Sequence, residues 1–208
     1  MWYSFSVFPS SQQCTQVDVR SNNLDENICQ IFIPVIEKPH FESFSGIPVK
    51  KIRDNAITEI NVKGVEGSEL EACGGVILAH CLKSNSSVTV VEASCCGMGT
   101  AGAKAFGDVL RVNKTLQHLN VSNNSFGKVQ VGDQVKLKSS GEMKTVTGKD
   151  GDYIEVEGSD WVDPSEFEWE SQVPAFCAGL AASPSLLSVS DSMWCSGRLL
   201  RPFRAVGE

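Results

Sequence analysis

Apolar residues recur along the chain at a fixed interval. Val88, Val91, Ala93, Cys96 and Met98 are followed 28 residues later by Leu116, Leu119, Val121, Asn124 and Phe126. Within each copy the apolar positions are spaced as a short strand running into a turn. Between the copies, GTAGAKAFGDVLRVN sets Ala103, Phe106, Val109 and Leu110 at i, i+3, i+6 and i+7, with Lys104, Asp108 and Arg111 on the other side, which is the spacing of an amphipathic helix. The pattern predicts strand, turn and helix as one repeating unit. One such unit cannot bury its apolar face alone, and stacking neighbours buries it.

Other parts of the chain fit the same template. Cys14 to Leu24 (CTQVDVRSNNL) places Cys14, Val17 and Val19 at strand-core positions and Asn22 at the turn position held by Cys96 and Asn124. Ile57, Ile60 and Val62 restart the strand pattern, and a helix is predicted from about Leu70 to Leu82. From residue 25 to 56 the period lapses: ICQIFIPVIE reads as a degenerate helix or strand broken by Pro34, and KPHFESFSGIPVKKIRDNA reads as loop. After Phe126 the matching residues return late. Phe176, Leu180, Leu186 and Val189 answer Phe106, Leu110, Leu116 and Leu119 at a displacement of 70 residues, so about forty residues are inserted. The inserted QVKLK, MKTVT and DYIEVE alternate with period two and are separated by Gly-containing turns, which predicts a small β-module of three or four strands. The expected organisation is an N-terminal tail (1–13), repeats (14–127) with an irregular connection (25–56), the inserted module (128–170), a resumed helix and strand (171–190) and an irregular C-terminal tail (191–208).

The two best copies fit LxxLxLxxN/CxL, and LKSNSSV and LRVNKTL close the helices with an LxxN step. In these features the chain resembles leucine-rich-repeat proteins of the ribonuclease-inhibitor subclass, a group that includes Ran GTPase-activating proteins and the sensor region of NOD-like receptors. VGDQVKLKSSGEMKTVTGKDGDYIEVEG resembles, more weakly, the SH3-like small barrels. Together these imply an α/β fold: a leucine-rich-repeat solenoid, with parallel strands inside and helices outside, and a small antiparallel β-barrel insertion. The implied role is binding other proteins. The residues flanking the buried pair in each strand face the inside of the curve, so the expected partner-binding row is Gln16, Asp18 and Arg20, then Glu59, Asn61 and Lys63, then Val90, Glu92 and Ser94, then His118, Asn120 and Ser122. This row is continuous if the copy at Cys14 stacks on the copy at Ile57.

Charge and cysteine usage narrow the partners. A net charge of −7 and a pI near 5.0 argue against a phosphate-binding surface, because nucleic-acid binders carry a basic face. No apolar run approaches the roughly 20 residues that cross a bilayer, and MWYSFSVFPSS lacks the basic n-region and small-residue cleavage site of a secretory signal. The expectation is a soluble, cytoplasmic protein without nucleic-acid or membrane partners. The cysteines are scattered, several at repeat-core positions, with no CxxC pair or zinc spacing, so buried thiols are expected rather than disulfides or a metal site. Sequons at Asn85, Asn113, Asn120 and Asn123 would matter only in a secreted chain. No amphipathic helix is evident after position 190, which leaves an uncapped solenoid end open to association.

Candidate chemistry is sparse. His80 and Cys81 are adjacent on the predicted helix, about 100° apart, and cannot serve each other as base and nucleophile. GMGTAG (Gly97 to Gly102) matches GxGxxG, but it sits in the repeat turn, where small residues are needed for packing. Asp150, Asp152, Glu155, Glu157, Asp160 and Asp163 lack the spacing of an EF-hand and read as a solvated acidic face. Tyr153, Trp161, Phe167 and Trp169 could form an aromatic cage for a cation or could be the module's core. No cofactor or metal is expected and no enzyme motif is present. The function predicted is a non-enzymatic protein-interaction scaffold, and the alternative is a regulator of a small GTPase, separable by GTP-hydrolysis assay.

Overall fold

Val17 and Val19 alternate with polar residues, and the first strand forms there. The structure is a computed structural model that describes residues 14–22, 24, 26–64, 69–129, 131–150, 153–158, 161–169 and 172–190. Strand β1 (Gln16–Val17) pairs in parallel with β2 (Ser43–Phe44), which follows helix α1 (Glu26–Ile36) and precedes helix α2 (Val49–Arg53). The helical alternative for ICQIFIPVIE thus forms as α1, whereas the stretch from Lys38 that read as loop holds a short strand and a helix. Pro34 lies near the end of α1, where one lost backbone hydrogen bond costs less than in mid-helix. Arg53 then holds the carbonyls that follow: its guanidinium donates to Ile36 O at 3.0 Å, Lys38 O at 3.1 Å, Pro39 O at 3.0 Å and Phe41 O at 3.3 Å. Phe41, Phe44, Ile47 and Ile52 are fully buried, so apolar content at spacings unlike the repeat's gives this segment its own packing.

The next elements follow the predicted rhythm. They are β3 (Glu59–Asn61), α3 (Glu71–Lys83), β4 (Val90–Glu92), α4 (Gly99–Val112) and β5 (His118–Asn120). In each strand the central residue, Ile60, Val91 or Leu119, is buried, while its neighbours point to the opposite face. On α4, Ala103, Phe106, Val109 and Leu110 are buried, and Lys104, Asp108 and Arg111 are exposed.

After β5 the chain forms an antiparallel sheet of five strands, one more than the sequence suggested at most. These are β6 (Gln134–Leu137), β7 (Met143–Asp150), β8 (Tyr153–Val156), β9 (Trp161–Val162) and, after a 3-10 turn at Pro164–Glu166, β10 (Phe167–Glu168), in the order β10-β6-β7-β8-β9. Its core is Val135, Val146, Ile154, Val156 and Val162. Aliphatic side chains fill it, with Phe167 and Trp169 packed at its margin and Tyr153 and Trp161 exposed.

The repeat then resumes as α5 (Val173–Ala182) and β11 (Ser188–Ser190), and β11 pairs in parallel with β5, Val189 opposite Leu119. The result is a four-stranded parallel sheet in the order β11-β5-β4-β3. Helices α3, α4 and α5 pack side by side against it. Phe126 and Phe176 meet edge to face at 5.2 Å, which joins the resumed unit to the earlier ones. The close α4–α5 approach requires glycine. A Cβ on Gly179 would lie 2.2 Å from Gly107 O, and one on Gly107 would lie 2.6 Å from Ala175 O. On the last strand Leu186 and Val189 are only half-buried, where Leu116 and Leu119 are buried. The expected tails at 1–13 and 191–208, with the uncapped end, lie outside the described residues.

Candidate functional site

The sheet face turned away from the helices is built by register. One row runs Glu59, Val90, His118 and Ser188, and the next runs Asn61, Glu92, Asn120 and Ser190. Side chains along the rows already engage one another. Asn120 Nδ2 donates to Glu92 Oε2 at 2.7 Å, His118 Nδ1 lies 2.7 Å from Ser188 Oγ, and Ser122 Oγ donates to Asn120 Oδ1 at 2.8 Å. Glu59, His118 and Ser188 are exposed, while Val90, Glu92 and Asn120 are half-buried. This arrangement is a mainly polar, hydrogen-bonding surface whose rotamers are partly fixed by these contacts.

The expected row differs from the observed one in three places. Gln16, Asp18 and Arg20 lie in or beside the separate β1–β2 sheet, where the partner of Gln16 is Ser43. The copy at Cys14 therefore pairs with the segment around Phe44 rather than with the copy at Ile57. Here Asp18 and Arg20 form an ion pair, and the guanidinium's hydrogen bonds hold the Asp18 carboxyl below its ordinary range. Ser94 is buried, its carbonyl accepting from Gly64 N at 2.8 Å, so it offers no contact surface; Lys63 remains exposed. Ser188 and Ser190 were missed, although the displacement of 70 maps them directly onto His118 and Asn120.

What holds these rows in line is a buried ladder at the turns. Asn124 Nδ2 donates to Ala93 O at 2.8 Å and Val121 O at 2.9 Å, and its Oδ1 accepts from Cys96 N at 2.9 Å. Cys96 fills the same slot one unit earlier, with Sγ 3.0 Å from Val62 O. Burial pushes its thiol up to about 11, so it acts as a neutral donor. At the earliest copy Asn22 makes the equivalent bonds, to Val19 O at 3.1 Å and Arg20 O at 2.9 Å, but is exposed. Each of these residues follows one with positive φ: Ser21 at 56°, Cys95 at 56° and Asn123 at 59°. A second ladder closes the helices. Asn113 Nδ2 donates to Leu82 O at 2.8 Å and Asn85 O at 3.2 Å, and Asn85 Nδ2 donates to Ile52 O at 2.7 Å.

The remaining candidates separate. His80 Nε2 lies 3.2 Å from Glu37 Oε1 rather than facing Cys81, and burial pushes the Cys81 thiol up to about 12. Phe167 and Trp169 pack against the β-module core, whereas Tyr153 and Trp161 are each 52% exposed. The four aromatics thus point to two sides of the module and do not enclose one space. The Gly97–Gly102 stretch borders a cleft of about 920 Å³ between the repeat turns and the module. Within it the Asp133 carboxylate accepts from Thr100 Oγ1 at 2.5 Å, so an acidic group already faces the first turn of α4, and a phosphate there would meet repulsion. Among the described residues no group of three or more His, Cys, Asp or Glu is placed to hold a metal, and no helix is long and apolar enough to cross a membrane.

Fold and site define a mixed α/β protein whose parallel sheet presents a polar face and whose antiparallel module rides on the repeat turns. The chain matches no protein-family model and no curated protein.

Proposed function

We propose that this chain is a leucine-rich-repeat solenoid of the ribonuclease-inhibitor type with an SH3-like insertion, and that it binds a partner protein through the open face of its parallel sheet without catalysing a reaction. The observation that carries this reading is the register: two rows, each taking one residue from each of four strands and polar at every position but Val90, lie side by side on a face that no helix covers among the described residues. Such a surface has the mixed polarity of a recognition face. A cytoplasmic setting fits it, because Cys14, Cys81, Cys95 and Cys96 are free thiols and the sequon residues Asn85 and Asn113 are buried with their amides engaged.

The test is capture of partners by the full chain and by its Glu59→Lys/Glu92→Lys double variant. The reading expects specific partners to be lost from the variant while its thermal midpoint holds, and an unchanged partner set would overturn it. The same protein, added to small GTPases in single-turnover GTP hydrolysis, checks the competing reading. Stimulation there would replace scaffold binding with GTPase regulation.

A further inference from the structure

The outward side of β7, β8 and β9 carries a second surface with a different chemistry. Register places Gly148, Glu155 and Trp161 in one row across the three strands, and Asp150 beside Tyr153 in the next. Asp163, one residue beyond β9, falls opposite Tyr153 by continuation of the Ile154–Val162 register and takes hydrogen bonds from Ser165 N at 2.8 Å and Ser165 Oγ at 2.6 Å. Burial alternates accordingly: Ile154, Val156 and Val162 point into the module, and Tyr153 and Trp161 point out, each 52% exposed. Gly148 lets the side chains of Glu155 and Trp161 close over the strand. A Cβ there would come 2.7 Å from Glu155 Oε2 and 3.6 Å from Trp161, so the carboxylate and the indole share the space that a side chain would take. Among the described residues the patch holds three carboxylates, two aromatic rings and no cation. Three lysines of the same module are engaged elsewhere: Lys149 Nζ donates to Val129 O at 2.7 Å, Lys138 Nζ to Ser165 O at 2.8 Å, and Lys144 lies 3.6 Å from Glu142.

We propose that Trp161, Tyr153 and Glu155 form a docking surface for an arginine side chain on a basic segment of a partner protein. The charge pattern selects a cation, since a guanidinium over the indole is attracted by the ring's negative face while Glu155 accepts its N–H groups. The exposed indole face beside a carboxylate selects a planar group that can stack and donate at once over a compact ammonium. Because the patch is open and half-exposed, single-residue affinity is weak, and a partner needs the sheet face or repeated arginines to hold. This goes beyond the function proposed for the parallel sheet and can fail or succeed independently of it.

The probes are three short peptides, Ac-GRGRG-amide and its lysine and citrulline analogues, titrated into the ¹⁵N-labelled full chain while the Trp161 indole N–H and the Gly148 and Glu155 amides are followed. The arginine peptide shifts all three signals saturably, and Trp161→Ala and Glu155→Gln each weaken it at least about fivefold. Both positions lie on the module's surface, so thermal midpoints equal to the parent's verify the fold. Equal shifts with the citrulline peptide would overturn the charge requirement, and equal affinity for the lysine peptide would overturn the stacking geometry. No shift up to about 10 mM would overturn the site outright. Glu59→Lys/Glu92→Lys leaves these titrations unchanged if the two surfaces are separate.

Discussion

At the scale of single residues, alignment of the strands depends on a few buried amides. Asn113 holds Leu82 O and Asn85 O with its Nδ2 while its Oδ1 accepts from Thr115 N at 2.9 Å and Leu116 N at 2.8 Å. Asn113→Ala would strand four backbone groups in the interior, and we expect a loss of about 3 kcal/mol in chemical denaturation. The position 70 residues later is Ser183, whose hydroxyl is buried without a partner. An asparagine there reaches the carbonyl of Asn113 as Asn113 reaches that of Asn85, so Ser183→Asn should gain about 1 kcal/mol and raise the thermal midpoint by about 2–4 °C. The thiols give a pH test. Burial raises Cys96 and Cys81 above the ordinary 9.0, to about 11 and about 12, so the native state keeps their protons after the unfolded chain has released them. Stability from this source is whole below pH 9 and falls as pH climbs to 11 and beyond. At pH 8 exposed Cys14 reacts with Ellman's reagent in the native protein, while Cys81 and Cys96 react only on unfolding.

Elements show where pattern reading succeeds and where it stops. Helices α3 and α4 and strands β3, β4, β5 and β11 follow from apolar spacing alone, because each buries one stripe or one residue against a neighbour of the same kind. The displacement of 70 predicted the pairing of Val189 with Leu119 across a sequence-distant contact. Residues 25–56 were illegible for a physical reason: α1 tolerates Pro34 and ends on a guanidinium supplied by α2, a partner no local window contains. Arg53→Ala removes four hydrogen bonds from that end, and a loss of about 2 kcal/mol with faster amide exchange over 33–41 is expected. The core role offered for the module's four aromatics fell to only two of them in part, because period two does not say which set of alternate residues faces inward: Phe167 and Trp169 pack against Ile154, Val156 and Val162, while Tyr153 and Trp161 are left to solvent. At the α4–α5 crossing, Gly107→Ala gains about 1 kcal/mol of helix propensity, but its methyl would lie 2.6 Å from Ala175 O. Displacing a packed backbone costs about 1–3 kcal/mol, so net destabilisation should appear in a melt.

Across the whole molecule, the β-module interrupts the repeat without breaking its register. Strand β11 lies beside β5 as β5 lies beside β4, although 70 residues rather than 28 separate the paired positions. The face proposed for binding is therefore assembled from both sides of the insertion, and Ser188 joins His118 only once the chain has detoured through five antiparallel strands. Folding order follows from that detour. For a flexible chain, closing a 70-residue loop costs about 0.8 kcal/mol more than closing a 28-residue one, and nucleation favours the shorter closure. The chain should zip from β4 outward and latch its final coil last, so in pulse-labelled exchange the amides of 188–190 acquire protection after those of 118–120.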